Sequence, residues 1–161
     1  MTYIAFIGWL TLDMWVKAWV EGHLNPPGGL HFNLPNSIPF LAPGYFALTF
    51  VKNTGGAWSV LAGHVPVLAL VAGVFAVIIL SYERSLKDPA WWQSIGLGLV
   101  LAGAVGNFID RVRFGAVTDM FDLEWHGRNI FPIFNIADMG IDIGFAVLLL
   151  FSALASKRQE Q

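Results

Sequence analysis

The chain has no cysteine among its 161 residues, which excludes disulfides, thiolate nucleophiles and thiolate metal sites. Charge is scarce too: Asp, Glu, Lys and Arg make up 12% of the sequence, against about 25% in a soluble domain. The net charge of −2 leaves no basic surface for nucleic acid. No internal repeat or low-complexity tract is visible, and the glycine-rich run GLGLVLAGAVG lacks the lysine that a phosphate-binding loop needs. Apolar residues, by contrast, are abundant at 56%, and the mean hydropathy is +0.62. Such a composition points to lipid. At about 20 residues per crossing, the length suits four spans in one domain, 1–161.

The spans are expected at about 3–20, 65–82, 91–110 and 138–156. The second and third carry no charge over most of their length, and Pro89 suits the start of the third. Gly96, Gly98, Gly103 and Gly106, with Ala102 and Ala104, form the kind of small-residue surface that lets membrane helices approach closely. The first span reaches crossing length only by taking in Asp13 and Lys17, and the fourth only by taking in Asp138 and Asp142. Those charges, and the lack of a basic n-region, mark the N-terminal segment as a retained helix rather than a signal peptide.

The two long connections, 21–64 and 111–137, fall on one side of the bilayer. The short loop and both termini fall on the other. Arg84, Lys87, Lys157 and Arg158 lie in the short loop and tail, where positive charge orients a protein most reliably, so both termini are expected in the cytoplasm. Alternation in Tyr45 to Val51 reads as a short strand and Asn53-Thr54-Gly55-Gly56 as a turn. The fold class is therefore an all-α membrane protein of four transmembrane helices, with a small extracytoplasmic platform of strand and loop between helices 1 and 2.

Chemistry concentrates at the outer edge. The stretch between Asp119 and Asp138 contains Asp122, Glu124 and Arg128 and cannot cross hydrocarbon, so both aspartates lie on the same side. Two carboxyls close together resist double ionisation, so one holds a proton while the other stays charged. That arrangement gives a base to activate water and an acid to protonate a leaving amine, with no metal or covalent intermediate. Asn135 is placed to cap the fourth span, with Asp138 in its first turn. Asn107, Asp110 and Arg111 share one helix face by their spacing, and Arg111, Asn53 and Asn107 can donate hydrogen bonds to substrate carbonyls.

Plainer roles compete. Asp119 and Asp138 could be unrelated interfacial acids, and Asp13 with Lys17 reads as a mutually neutralised i, i+4 pair. Asp142, one turn below Asp138, either perturbs it or faces water. His23, His31, His64 and His126 show no ligand spacing, so no metal or other cofactor is expected.

The blocks NTGGAWS, GNFIDRVRFGAVTDM and FNIADMGI, with Asp13-Met14-Trp15-Val16-Lys17 before them, resemble the signature blocks of bacterial lipoprotein signal peptidase (signal peptidase II) in order and spacing along the whole chain. The resemblance implies a four-span inner-membrane aspartic endopeptidase, inhibited by globomycin. Its substrates would be prolipoproteins carrying a lipid-modified cysteine, cut just before that residue after diacylglyceryl transfer. It implies Asp119 and Asp138 as the catalytic pair, Asn53, Asn107, Arg111 and Asn135 around them, and Asp13, Lys17 and Asp110 as supporting polar positions. The chain departs from the family pattern at Val16, Gly56, Trp58, Met139, Gly140 and Asp142, and around PPGGLHFN in the first loop. A monomer is expected, since a site within one bundle needs no second subunit. Membrane lipid is its other partner.

The alternative from a different class is a small proton- or ion-coupled membrane transporter, with Asp13, Lys17, Asp138 and Asp142 as a relay. Against it, the polar residues gather at one face, and neither a repeat nor a broken helix is evident.

Overall fold

The computed structural model describes residues 1–24, 38–39, 44–126 and 128–159. The PPGGLHFN stretch and His31 lie outside the described residues. Four helices form: α1 (Thr2–Leu24), α2 (Val65–Ser85), α3 (Trp91–Phe114) and α4 (Ile136–Gln159). Four strands join them: β1 (Ile38–Pro39), β2 (Phe46–Asn53), β3 (Val117–Trp125) and β4 (Arg128–Asn129). Of the helices, α2, α3 and α4 are long and apolar enough to cross a membrane.

The bundle is built around α3, which packs against each of the other three helices. Small residues make this possible. A methyl group at Gly98 would strike the Thr2 carbonyl and Ala5 of α1, and one at Gly103 would strike Ala137 and Ile141 of α4. At Gly106 it would lie 2.6 Å from Asp13 Oδ2. The helix backbones therefore meet almost directly, as they do where small residues replace bulky ones inside membranes. The outward faces are the reverse of a soluble protein's. Leu70, Val71, Val74, Val77 and Ile78 of α2 and Leu149, Leu150 and Leu154 of α4 are exposed, apolar faces that lipid or another apolar partner would cover.

Local signals set the helix ends. Pro66 sits in the first turn of α2, where its missing N–H is not needed. Pro89 falls just before the first residue of the α3 cap, and the Ala90 N–H is bonded by Gln93 Oε1 at 2.8 Å. Gly115 ends α3 in a left-handed conformation, φ 66°, which glycine adopts without steric cost. That turn redirects the chain from α3 into β3.

The strands pair antiparallel in the order β1-β2-β3-β4, with Val51 opposite Asp119 and Asn53 opposite Val117. The sheet rests on the end of α1, where Val20 and Leu24 bury Met120, flanked by Val16, Leu48, Phe50 and Phe121. Asn129 donates to both carboxylate oxygens of Asp122 at 2.8 and 2.7 Å and steadies the β3–β4 hairpin. The expected strand over 45–51 is present as β2. β1 and β2 lie between α1 and α2, where the platform of strand and loop is expected, and the nine-residue β3 from between α3 and α4 completes the sheet. Val117, Thr118, Asp119 and Met120 are all buried. Burial of both strand faces erased the polar–apolar alternation that identifies a half-exposed strand.

Candidate active site

The ends of α1 and α3, the start of α4 and the paired strands β2 and β3 meet at one end of the bundle. Asn135 precedes the first residue of α4. Its Oδ1 accepts from the Asp138 N–H at 2.9 Å, and its own N–H donates to Asp138 Oδ2 at 3.2 Å. The two residues form a reciprocal cap, an arrangement that satisfies otherwise unpaired donors at a helix start. The remaining group of Asn135, its side-chain amide, donates to Asp119 Oδ1 at 2.6 Å and to Asn107 Oδ1 at 3.2 Å. One fully buried asparagine therefore touches both aspartates.

Each carboxylate has a second donor. Asn53, the last residue of β2, donates from Nδ2 to Asp119 Oδ2 at 2.9 Å, while its Oδ1 accepts from the Gly55 N–H at 2.8 Å. Asn107 donates from Nδ2 to Asp138 Oδ1 at 2.7 Å. Asp119 is 2% exposed. Burial first, and then the charge of Asp138, push its carboxyl up from 3.8 to about 7, against the lowering effect of the Asn53 and Asn135 hydrogen bonds and of Lys17. A carboxyl in that range exchanges its proton near neutral pH, as an acid–base group must.

A second layer lies beneath. Lys17 Nζ is 2.8 Å from Asp13 Oδ2 and 3.0 Å from Asp110 Oδ2, and it donates to Asn107 Oδ1 at 3.3 Å. Asp13 Oδ1 accepts from the Ala137 N–H at 2.8 Å, and Asp110 Oδ2 from the Thr118 N–H at 3.3 Å. The i, i+4 pair read from sequence is present, but its lysine also reaches α3. Asp13, Lys17 and Asp110 thus join α1, α3, β3 and the first turn of α4. Asn107, Asp110 and Arg111, expected on one helix face, divide their work. Asp110 points to Lys17, Asn107 links Lys17 to Asp138, and Arg111 reaches the β2–α2 connection. There its Nη2 donates to the Gly55 carbonyl at 3.1 Å, and its Nη1 to the Asn107 carbonyl at 3.3 Å. Its Nε has no partner among the described residues.

Asp119 and Asp138 both line a cavity of about 410 Å³, together with Asn53, Asn107, Arg111 and Asp142. Sequence reasoning missed the apolar part of its wall, which comes from Trp58 and from Phe131 to Phe134. Trp58 adopts a left-handed φ of 52° and meets Phe131 edge to face at 5.8 Å. Phe134 is fixed by backbone hydrogen bonds with Met120 and Phe121. The one signal that could have found this wall is that FPIF runs directly into Asn135. His23 stacks on Trp19 and bonds its carbonyl, away from the site. Among the described residues no three His, Asp or Glu side chains converge as metal ligands would.

The family model described as signal peptidase (SPase) II matches residues 5–154. A lipoprotein signal peptidase of Gloeobacter violaceus is 36% identical over 156 residues, 97% of this chain and 83% of its own. One from Latilactobacillus sakei is 38% identical over 151 residues, 91% and 88% of the two chains. A solved bacterial membrane enzyme superposes with a TM-score of 0.80 at 24% identity, covering 99% of this chain and 91% of its own, and so shares the fold. With a family match across nearly its whole length and relatives aligned over most of theirs, this chain belongs to the signal peptidase II family of bacterial membrane peptidases.

Proposed function

We propose that the chain removes signal peptides from diacylglyceryl-modified prolipoproteins by water activation at an Asp119–Asp138 dyad. The observation that carries this is Asn135, which holds both carboxylates at the wall of one cavity. The ionised carboxylate takes a proton from water as the water oxygen attacks the scissile carbonyl. The protonated one then gives its proton to the departing amine, so the pair ends with its single proton exchanged between partners. The two acids titrate as a coupled pair, and base and acid are roles of the pair. Arg111, Asn53 and Asn107 stand where the scissile carbonyl and its neighbours would lie.

Four spans fit this chemistry. α1 has 23 residues, about 35 Å at 1.5 Å per residue, enough to cross a core of about 30 Å once Asp13 and Lys17 neutralise each other internally. We place both termini in the cytoplasm, on the positive charge of the short loop and tail, and the dyad near the extracytoplasmic face of the inner membrane. A single domain, 1–161, acting as a monomer contains every group the reaction needs, with lipid around it and no nucleic acid involved. Purified protein is expected to cut a diacylglyceryl-modified precursor and to leave the unmodified precursor intact. Ion flux through proteoliposomes without any cleavage would overturn the assignment in favour of a transporter.

The dyad needs one proton, so the rate is expected to fall on the alkaline side as Asp119 ionises near pH 7. Asn53 stabilises the ionised form of Asp119, so in Asn53→Ala that limb should move to higher pH. A pH–rate profile of both proteins checks this, and an unmoved limb would count against Asp119 as the group that titrates. The sign for stability is the opposite of the usual carboxylate. The folded chain holds its proton above 3.8, where an unfolded chain releases it, so this group costs stability as pH rises from that value to about 7.

A further inference from the structure

Asp142 is the one acid in the cavity wall that the dyad chemistry does not use. It lies one turn along α4 from Asp138, within a helix apolar enough to span a membrane. It is exposed and lines the same cavity as Asp119 and Asp138. No hydrogen bond or ion pair engages it among the described residues. The buried acids Asp13 and Asp110, by contrast, are satisfied by Lys17. An ionisable side chain at membrane depth is costly, and one left without a protein partner at a cavity is normally there for what enters the cavity.

The entering chain has a matching need. Every main-chain N–H that a peptide presented to the dyad in extended form brings into an apolar environment needs an acceptor, at a cost of several kcal/mol when none is found. The side-chain acceptors of the wall are mostly spent. Asn53 Oδ1 holds the Gly55 N–H, and Asn107 Oδ1 holds Lys17 and Asn135. Asp119 and Asp138 are committed to the reaction. Among the described residues, Asp142 alone of the polar side chains of the wall keeps both oxygens free. From Asp138 to Asp142 the helix rises about 6 Å, which an extended chain covers in about two residues.

Resting on the dyad chemistry proposed above, we propose that Asp142 is a substrate-binding residue that accepts a main-chain N–H of the signal peptide, about two residues from the scissile bond on the side that continues into the bilayer. It acts on binding, not on the proton transfers.

The test uses the full-length protein with synthetic diacylglyceryl-modified peptides. In one set of substrates, each N–H at the second, third and fourth residue on the signal-peptide side is replaced in turn by an ester oxygen. Asp142→Ala is expected to raise KM about tenfold, the equivalent of one hydrogen bond to a charged group, with kcat within about twofold of the parent. Asp142→Asn keeps one acceptor oxygen and should recover most of the loss. One ester position should weaken binding by the parent protein and cost Asp142→Ala nothing further. An unchanged KM in Asp142→Ala, or ester penalties equal in the two proteins, would overturn the proposal. A parent protein that cuts none of these substrates would overturn the dyad chemistry and this inference with it.

Discussion

Asp138→Asn is expected to lower kcat by at least about a thousandfold, the scale of general acid–base catalysis, while the protein still inserts and binds its precursor. The substitution keeps the shape of the side chain but removes its ability to carry or exchange a proton. It also turns one acceptor into a donor. In the parent protein Asp138 accepts from Asn107 on one oxygen and from the Asn135 N–H on the other, so the new amide faces a donor at one of the two places. The loss of that cap bond costs about 1 kcal/mol of helix stability, partly offset because the residue no longer confines a charge. Asp119→Asn meets the same conflict between Asn53 and Asn135 and the same catalytic loss. The double variant should be no slower than either single one, because the two acids act as a unit. Single-turnover cleavage of a lipid-modified precursor measures all three. A tenth of the parental rate in purified Asp138→Asn would reject the dyad.

Lys17→Met should cost the fold more than any other single replacement of a charged residue. Lys17 is 5% exposed and is the cation for both Asp13 and Asp110. Its removal strands two buried carboxylates next to each other, and breaking a buried pair from one side costs about 3–5 kcal/mol. The two acids also hold main-chain N–H groups of α4 and β3, so any movement they make to escape each other opens the site. The combined variant Lys17→Met, Asp13→Asn, Asp110→Asn should recover much of the lost stability, since neutral amides can keep the main-chain bonds without a cation. Unfolding in detergent, followed by helical signal, compares the three proteins. Parental stability in Lys17→Met alone would show that the ammonium neutralises nothing of consequence.

Much of this arrangement could be read from the sequence where the relevant contacts are local. Asp13 with Lys17 is one turn of helix, Asn135 with Asp138 is a helix cap, and the glycines of α3 mark a close-packed face; all three are present. What was hidden depends on residues far apart in the chain. Lys17 of α1 reaches Asp110 and Asn107 of α3, and Asn135 at the start of α4 meets Asp119 of β3. No periodicity encodes such meetings. β3 was missed because Asp119, Asp122 and Glu124 look like loop residues until burial on both faces is known. The aromatic wall escaped notice because Trp58 and Phe131 meet only after two loops fold over the cavity, one of them through a left-handed backbone at Trp58 itself.

The bare surface of Gly103 against Ala137 has a consequence beyond cohesion. Ala137 adjoins Asp138, so the missing side chain lets the start of α4 seat directly on α3 and keeps the Asp138 carboxyl within reach of its donor Asn107. An inhibitor straddling both acids would grip a part whose position depends on how the helices pack. Sequence drift that weakens its grip would be easier in the loops of the wall, as at Phe131, where a side chain is exchanged without moving a helix.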